Sequence, residues 1–293
     1  MNKIAVIAHA RKTLDGGLPA LKRALERHGI FDPFWCEVAK SREARKGLRS
    51  ALKHGAELVF VWGGDGMVQR CADVVADSHA AMAILPAGTA NLFASNLGIP
   101  KSIDAAVEIG LRGDRRKLDL GSINGERFAV MAGVGFDAEM IHDANPEMKR
   151  RFGRTAYVLA AAKNLRGKPF EAHIKVDGKT WFEGQASCVL FGNVGDAFAG
   201  LSAFEEARPD DGLLEIGIAS PEGILEWGRT IARAALSDAS KSPFVHTTRG
   251  RSVELKLDRK VRHELDGSER GQKKSFTVKV QPSAISVCVP VPR

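Results

Sequence analysis

Two grammars of apolar and polar positions follow one another along the chain. In the first 120 residues, Lys3–Ala8, Leu58-Val59-Phe60-Val61-Trp62 and Ala81–Leu85 are short continuous apolar runs of strand length. Such runs belong to parallel strands buried on both faces. Between them, Leu18–His28 and Ser41–His54 carry apolar residues at helical spacing, with Ser41 placed to cap the second helix and Gly55 to stop it. Alternating strands and helices predict an α/β domain with a doubly wound parallel sheet, whose ligands sit beyond the carboxyl ends of the strands.

Near Lys117 the period changes. Leu118–Ile123 and Glu126–Met131 flank Asn124-Gly125, and His173–Val176 and Lys179–Phe182 flank Asp177-Gly178. Both dipeptides favour two-residue hairpin turns. Val253, Leu255 and Leu257 alternate with polar residues, as do Phe276, Val278 and Val280, the pattern of antiparallel sheet with one wet face. Helical stretches at Lys149–Leu165 and Pro221–Ser237 interrupt it. The expected division is an α/β domain over residues 1–120 and a mainly antiparallel β domain over 121–293, with the last strand free to return to the first domain.

Composition narrows the class. The chain has 293 residues, of which 44% are hydrophobic and 27% charged, as in ordinary globular proteins. No apolar run reaches the roughly 18 residues of a membrane-spanning helix. The apolar start could pass for a very short signal peptide, but His9, Arg11 and Lys12 interrupt it, so a buried first strand is the better reading. Cys36, Cys71, Cys188 and Cys288 are scattered without a Cys-x-x-Cys pair, which points away from disulfides and structural zinc and toward a cytoplasmic location. Lys and Arg number 43 against 35 acidic residues, a net charge of +8 that favours an anionic partner. Tyr157 is the one tyrosine and no basic-aromatic stacking motif accompanies the charge, which argues against nucleic acid. The basic residues around Tyr157, from Lys149 to Lys168, suit either a membrane-surface helix or a domain helix with a solvated face.

The sharpest chemical signal is Gly63-Gly64-Asp65-Gly66-Met67, a glycine-rich turn between a buried strand and a helix. Glycines let a ligand approach the backbone, and the helix start offers N–H groups to phosphate oxygens. Asp65 repels phosphate unless a cation intervenes, so it suits Mg²⁺ binding or activation of a hydroxyl. A plain βα turn capped by Asp65 accounts for the same residues. A second such turn, Leu85-Pro86-Ala87-Gly88-Thr89-Ala90-Asn91, brings Thr89 and Asn91 as neutral donors. Neither turn has the Gly-Lys-Ser/Thr ending of a Walker A loop or the Gly-x-Gly-x-x-Gly spacing of a dinucleotide fold.

These two turns in this order resemble the diacylglycerol kinase catalytic domain, which bacterial soluble lipid kinases share with sphingosine kinases and, more distantly, NAD kinases. Gly133-Val134-Gly135-Phe136-Asp137, Pro209-Asp210-Asp211-Gly212-Leu213-Leu214, Leu265-Asp266-Gly267 and the terminal Ile285–Pro290 follow in family order. The resemblance implies an ATP- and Mg²⁺-dependent lipid kinase. Gly63, Gly64, Gly66, Gly88, Thr89 and Asn91 would hold the nucleotide phosphates, with Ser41 near the nucleotide and Asp65 in the catalytic role. Asp137 would lie near the lipid headgroup. Arg208, Asp211 and Leu213 would form a structural Mg²⁺ site, two of them through main-chain carbonyls. The lipid would be drawn from an anionic membrane surface by peripheral association, and the resemblance is compatible with a homodimer.

The chain departs from the family pattern at several points. His9-Ala10-Arg11-Lys12-Thr13 replaces Asn-Pro-x-Ser-Gly, Met67 stands where threonine is usual, and Leu92 replaces an acid. The family's Asp-Gly-Glu, source of a general base, reads Asp266-Gly267-Ser268. Glu269 could supply the base if the turn were one residue longer; otherwise Asp65 would act directly. Two alternatives therefore stand beside diacylglycerol phosphorylation: a kinase for a sphingoid or other lipid alcohol, and a nucleotide-binding regulatory protein of the same fold without turnover.

Overall fold

The computed structural model describes residues 3–135, 169–198, 201–202, 204, 206–220 and 246–292. The chain forms two compact units, one from Met1–Asp119 with Ser283–Arg293, the other from Leu120–Pro282. The final segment thus rejoins the first unit. The helical stretches at Lys149–Leu165 and Pro221–Ser237 lie outside the described residues.

The first unit contains β1 (Lys3–His9), α1 (Gly17–Arg27), β2 (Phe34–Val38), α2 (Ala44–Lys53), β3 (Ala56–Gly63), α3 (Asp65–Val75), β4 (Ala81–Pro86), α4 (Leu92–Asn96), α5 (Ile103–Arg112) and the start of β5 (Asp114–Ile123). β1 lies between β2 and β3, β4 adds beyond β3, and Ser286 and Val287 of the last strand pair with Ala81 and Met82 of β4. All of these pairings are parallel. The continuous apolar runs are buried as their pattern requires, with Val6, Ile7, Val59, Phe60 and Val61 fully enclosed. Burying a side chain of this size stabilises by about 1.5–3 kcal/mol. α1 packs beside α5 and α2 beside α3, covering the sheet. The strand order reverses direction at β1 and β3, and in such sheets the ligand crevice opens at that reversal, outside the carboxyl ends.

One local expectation needs correction. Ser41 does not cap α2. It opens a short 3₁₀ turn, Ser41–Glu43, with no capping bond from a side chain at its start. The Glu43 carboxylate takes the amides instead, accepting the N–H of Ala39 at 3.2 Å and of Lys40 at 3.3 Å. A carboxylate reaches back across this turn where a serine hydroxyl does not. Gly55 does end the helix, at φ 80°.

The second unit is antiparallel. It holds β6 (Glu126–Phe128), β7 (Met131–Val134), β8 (Phe170–Val176), β9 (Lys179–Ala186), β10 (Cys188–Gly192), the short pair β11 (Asp196–Phe198) and β12 (Leu201–Ser202), β13 (Leu214–Ala219), β14 (His246–Gly250), β15 (Ser252–Leu265) and β16 (Ser268–Val289), whose end belongs to the first unit. The order runs β14-β13-β10-β7-β15-β16. β15 changes neighbour along its length: Val253–Leu257 pair with β8, whereas His263–Leu265 pair with β7, and its pairing with β16 is irregular between Lys256 and Val261. Such an irregularity bends a strand and lets one element serve two layers. The enclosed core includes Phe128, Phe170, Phe191, Ile216, Val253 and Phe276. Both expected hairpins form, with positive φ at Asn124 (50°), Gly125 (86°), Asp177 (49°) and Gly178 (78°), the geometry of a type I′ turn.

Candidate active site

At the carboxyl end of β3 the chain passes through Gly64 into α3, and at the end of β4 through Gly88 toward α4. The two turns touch backbone to backbone. A Cβ on Gly88 would lie 2.5 Å from the Gly64 Cα, and one on Gly64 would lie 3.1 Å from the Gly88 Cα. Ala87 donates its N–H to the Gly63 carbonyl at 2.9 Å, continuing the β3–β4 pairing into the turns. Glycine is therefore required at 64 and 88 by proximity. Gly66 is different: a Cβ there would meet only the Arg70 Nη1, at 3.5 Å.

Asn91 holds the second turn in shape. At φ 54° its side-chain oxygen accepts the Gly88 N–H at 2.7 Å, and its amide donates to the Gly88 carbonyl at 2.8 Å. Against the expectation that Asn91 offers its side chain to phosphate, the residue is only 4% exposed, and its side-chain oxygen and one of its two amide N–H donors serve the turn it stands in. Thr89 is exposed, and its carbonyl receives the Lys101 ammonium at 2.8 Å. Lys101 was not marked by the sequence, because nothing in Ile99-Pro100-Lys101 announces that a lysine will fold back twelve residues onto the turn. An ammonium has three donors, and Thr89 takes one.

Asp65 is the first residue of α3, with Gly64 at the N-cap. Its carboxylate does not cap its own helix from the N-cap position, the alternative left open by the sequence. It reaches the start of α4, where Oδ1 accepts the Phe93 N–H at 3.4 Å. Burial pushes its pKa above the ordinary carboxylate value, and the amides of Phe93, Leu92 and Asn91 pull it back only in part. The first two amides of α3, those of Asp65 and Gly66, have no backbone acceptor within the helix, whereas the Met67 N–H bonds the Gly64 carbonyl at 2.9 Å. On the neighbouring strand His9 ends β1, its Cβ 4.0 Å from where a Cβ on Gly63 would lie, with its pKa lowered by burial and by Lys12 and Arg11. Met67 is fully enclosed and packs against Gly63, where an added Cβ would meet its Cβ at 2.5 Å. The methionine thus fills core space and does not face a ligand. Ser41 follows β2 at the same edge of the sheet.

Two residue families match the chain: the diacylglycerol kinase catalytic domain over residues 5–123 and the YegS C-terminal NAD kinase beta sandwich-like domain over residues 129–289. A diacylglycerol kinase of Mycobacterium tuberculosis is 31% identical over 225 residues, covering 73% of this chain and 72% of that protein. The chain belongs to the diacylglycerol kinase catalytic-domain family. Among further relatives, lipid kinase YegS of Escherichia coli is 26% identical over 255 residues, covering 85% of this chain and 83% of that protein. An uncharacterized Synechocystis protein is 31% identical over 265 residues, 86% of this chain but only 60% of its own length. A diacylglycerol kinase structure from Bacillus anthracis superposes with a TM-score of 0.80 at 21% identity, covering 98% of this chain and 97% of the other. An NAD kinase from Archaeoglobus fulgidus shares the fold more loosely, with a TM-score of 0.55 at 12% identity, covering 98% and 93%.

Seen against this family, the C-terminal unit corrects two expectations. The turn at Asp266-Gly267 is a two-residue hairpin with φ 45° and 76°, closed by the pairing of Leu265 with Ser268. It is not one residue longer, so Glu269 does not move into the place of Ser268. Neighbouring strand residues face opposite ways, and Glu269 lies 3.5 Å from Arg262 in an ion pair. Asp266, unmarked as a site residue, accepts the N–H of Ala129 at 2.8 Å and those of Val130 and Met131 at 2.9 Å. It clamps the segment that leads into Gly133-Val134-Gly135. Glu264, 2% exposed, stands opposite Glu269 in the register and was equally missed, since a glutamate in an alternating strand reads as solvent-facing.

The second correction concerns Mg²⁺ at Arg208, Asp211 and Leu213. Arg208 is exposed on the turn before β13. Asp211 accepts the Leu213 N–H at 3.0 Å through Oδ1, and its Oδ2 is ion-paired with the Arg249 guanidinium. The donor set does not fit a divalent ion, because an arginine already holds the carboxylate. Asp137 lies outside the described residues.

Proposed function

We propose that this protein is a lipid kinase that binds ATP at the two touching glycine turns and transfers its γ-phosphoryl group to a lipid hydroxyl, with diacylglycerol the leading acceptor. The observation that carries the reading is the junction of Gly64 and Gly88, with the Asp65 carboxylate at the start of α4, in a chain of the diacylglycerol kinase catalytic-domain family. The N–H groups of Ala87 and Gly88 are already bonded within the junction, so the phosphate donors in this reading are the first N–H groups of α3, where no side chain on Gly64 or Gly66 hinders approach. Lys101 adds positive charge beside Thr89, and Arg11 and Lys12 stand after β1.

Asp65 fits a cation site better than the Asp211 turn does, because it is a half-buried carboxylate whose pKa burial has raised and which, among the described residues, no arginine or lysine holds. Mg²⁺ entering with ATP would be held at Asp65 and would neutralise phosphate charge. In this reading the glycine turns bind and orient the triphosphate, Lys101 restrains it, and ionised Asp65 draws the acceptor's proton. Phosphoryl transfer depends mainly on positioning and electrostatic stabilisation. A serine at 268 therefore slows the reaction without abolishing it.

Incubation of the purified protein with γ-labelled ATP and a lipid extract, followed by separation of the products, tests the reading. A labelled lipid is expected, and its identity separates diacylglycerol from a sphingoid or other lipid alcohol. The second reading, a nucleotide-binding regulator, draws on Leu92 and Ser268 standing where the family places acids. Tight ATP binding without any labelled lipid is its signature. Among the described residues, no helix is long and apolar enough to cross a membrane. We assign lipid access to peripheral contact with an anionic surface, so vesicle binding should weaken as salt shortens the Debye length from about 10 Å at 0.1 M to about 3 Å at 1 M.

A further inference from the structure

We infer that the guanidinium of Arg249 is the built-in cation of the turn that opens β13, and that this turn folds without a divalent metal ion. β13 and β14 are antiparallel partners, and their register sets Glu215 directly opposite Arg249. From that position one guanidinium serves two acids. It is ion-paired with Asp211 Oδ2, and its Nε lies 2.7 Å from Glu215 Oε1. The other Asp211 oxygen accepts the Leu213 N–H at 3.0 Å. Asp211 therefore ties the turn to the first residues of the strand on one side and to β14 on the other.

A divalent ion at Asp211 would displace this arginine or sit beside it. Placed beside it, the ion would meet a fixed like charge at hydrogen-bond distance from the same carboxylate. Displacement would strip Glu215 of its partner, and Glu215 is only 7% exposed. Burial already pushes the Glu215 pKa up, Arg249 offsets this, and Asp211 adds to the upward push. Two acids so close require a positive charge between them, and a buried carboxylate left unpaired is strongly destabilising. Arginine answers the need permanently. It stays protonated at any physiological pH, and its planar fork can engage two acceptors at once. A strand residue cannot diffuse away, so the turn is indifferent to chelators and to the free magnesium concentration.

Thermal unfolding of the full-length, nucleotide-free protein in EDTA and in millimolar MgCl₂ tests this, with Mn²⁺ binding followed by electron paramagnetic resonance as an independent readout. The wild type should melt at the same temperature in both buffers, and Asp211→Asn should leave its Mn²⁺ signal unchanged. Arg249→Leu should lower the melting temperature in EDTA. If Arg249→Leu does not fold, Arg249→Lys provides the comparison: it keeps one charge, loses the two-sided contact, and should melt below wild type in both buffers. Saturable Mg²⁺ stabilisation of the wild type that Asp211→Asn abolishes would overturn the inference. Wild-type melting of Arg249→Leu, or of Arg249→Lys where the leucine variant is not obtained, would overturn it equally. Both readouts are independent of catalysis, so a failed kinase assay does not bear on them.

Discussion

Asp65 in the N-terminal unit and Asp266 in the C-terminal unit each turn a carboxylate toward main-chain N–H groups of a distant segment. Asp266 receives three of them, from Ala129, Val130 and Met131, at 2.8, 2.9 and 2.9 Å, and its own N–H donates to the Met131 carbonyl at 2.9 Å. Asp65 has one long hydrogen bond, of 3.4 Å to the Phe93 N–H; the amides of Leu92, Asn91 and Asp65 itself also favour its charged form, yet burial outweighs all of them. An ionised carboxylate offers about four lone-pair sites. Asp266 has most of them filled by short bonds and acts as a clamp. Asp65 bears the cost of burial with little return, the condition of a group that gains its partner when ligand arrives. Degree of satisfaction, more than residue type, separates the two.

The largest expected effect comes from breaking the clamp. A hydrogen bond to a charged group contributes about 1.5–3 kcal/mol, and the amides abandoned in its absence add to the loss. Asp266→Ala should therefore cost at least about 3 kcal/mol in denaturant unfolding, whereas Asp65→Ala should cost less than about 1 kcal/mol. Equal losses at the two positions would erase the distinction.

Next in size is the contact between the turns. A Cβ at Gly88 would sit 2.5 Å from the Gly64 Cα and 2.7 Å from Asn91 Oδ1. Gly88→Ala must push the turns apart and should weaken ATP binding at least about tenfold, about 1.4 kcal/mol. Gly66→Ala, whose Cβ would make only an ordinary contact with Arg70 Nη1 at 3.5 Å, should weaken it far less. Isothermal titration of both variants checks the contrast.

This contrast also marks what was legible in the sequence. The strands were readable because buried parallel strands are written as unbroken apolar runs. The hairpins at Asn124-Gly125 and Asp177-Gly178 were readable because turn chemistry is local. The glycine turns were visible as candidate phosphate loops for the same reason. Asp266 shows where that stops: its turn is local, but its amide partners lie 135 to 137 residues away. Asn91 read as a phosphate donor because sequence cannot show that its side chain closes back on Gly88. Lys101 and Arg249 stayed hidden for a related reason, since the fold alone carries them to Thr89 and Asp211. The Mg²⁺ expectation at Asp211 came from the motif around it, while the residue that answers it stands 38 positions later.

Smaller effects sharpen the comparison further. Ser268→Glu should raise turnover up to about 100-fold, the lower range of general-base assistance, if the two-residue turn presents the new carboxylate to the acceptor. Glu269→Gln should leave turnover within about twofold of wild type, because Glu269 lies on the opposite strand face and pairs with Arg262. A rate loss in Glu269→Gln would return the base to that residue. Lys101→Ala should raise the KM for ATP about three- to tenfold with little change in kcat, the signature of an interaction made equally in ground and transition states. A selective fall in kcat would instead assign Lys101 to the transition state.

The most direct test is the pH profile of lipid phosphorylation by wild type and Asp65→Asn, with ATP affinity measured alongside. The folded state holds the Asp65 proton more tightly than the unfolded chain does. Its contribution to stability is therefore greatest at low pH and is lost as pH rises through the raised pKa, while catalysis follows the ionised form and runs the other way. Wild-type kcat/KM should fall on acidification along a limb above the ordinary carboxylate range. Asp65→Asn should remain folded, lose at least about 100-fold in turnover and lose that limb. Wild-type rate and an unchanged acid limb in Asp65→Asn would contradict the assignment of the active site to the junction of the two glycine turns.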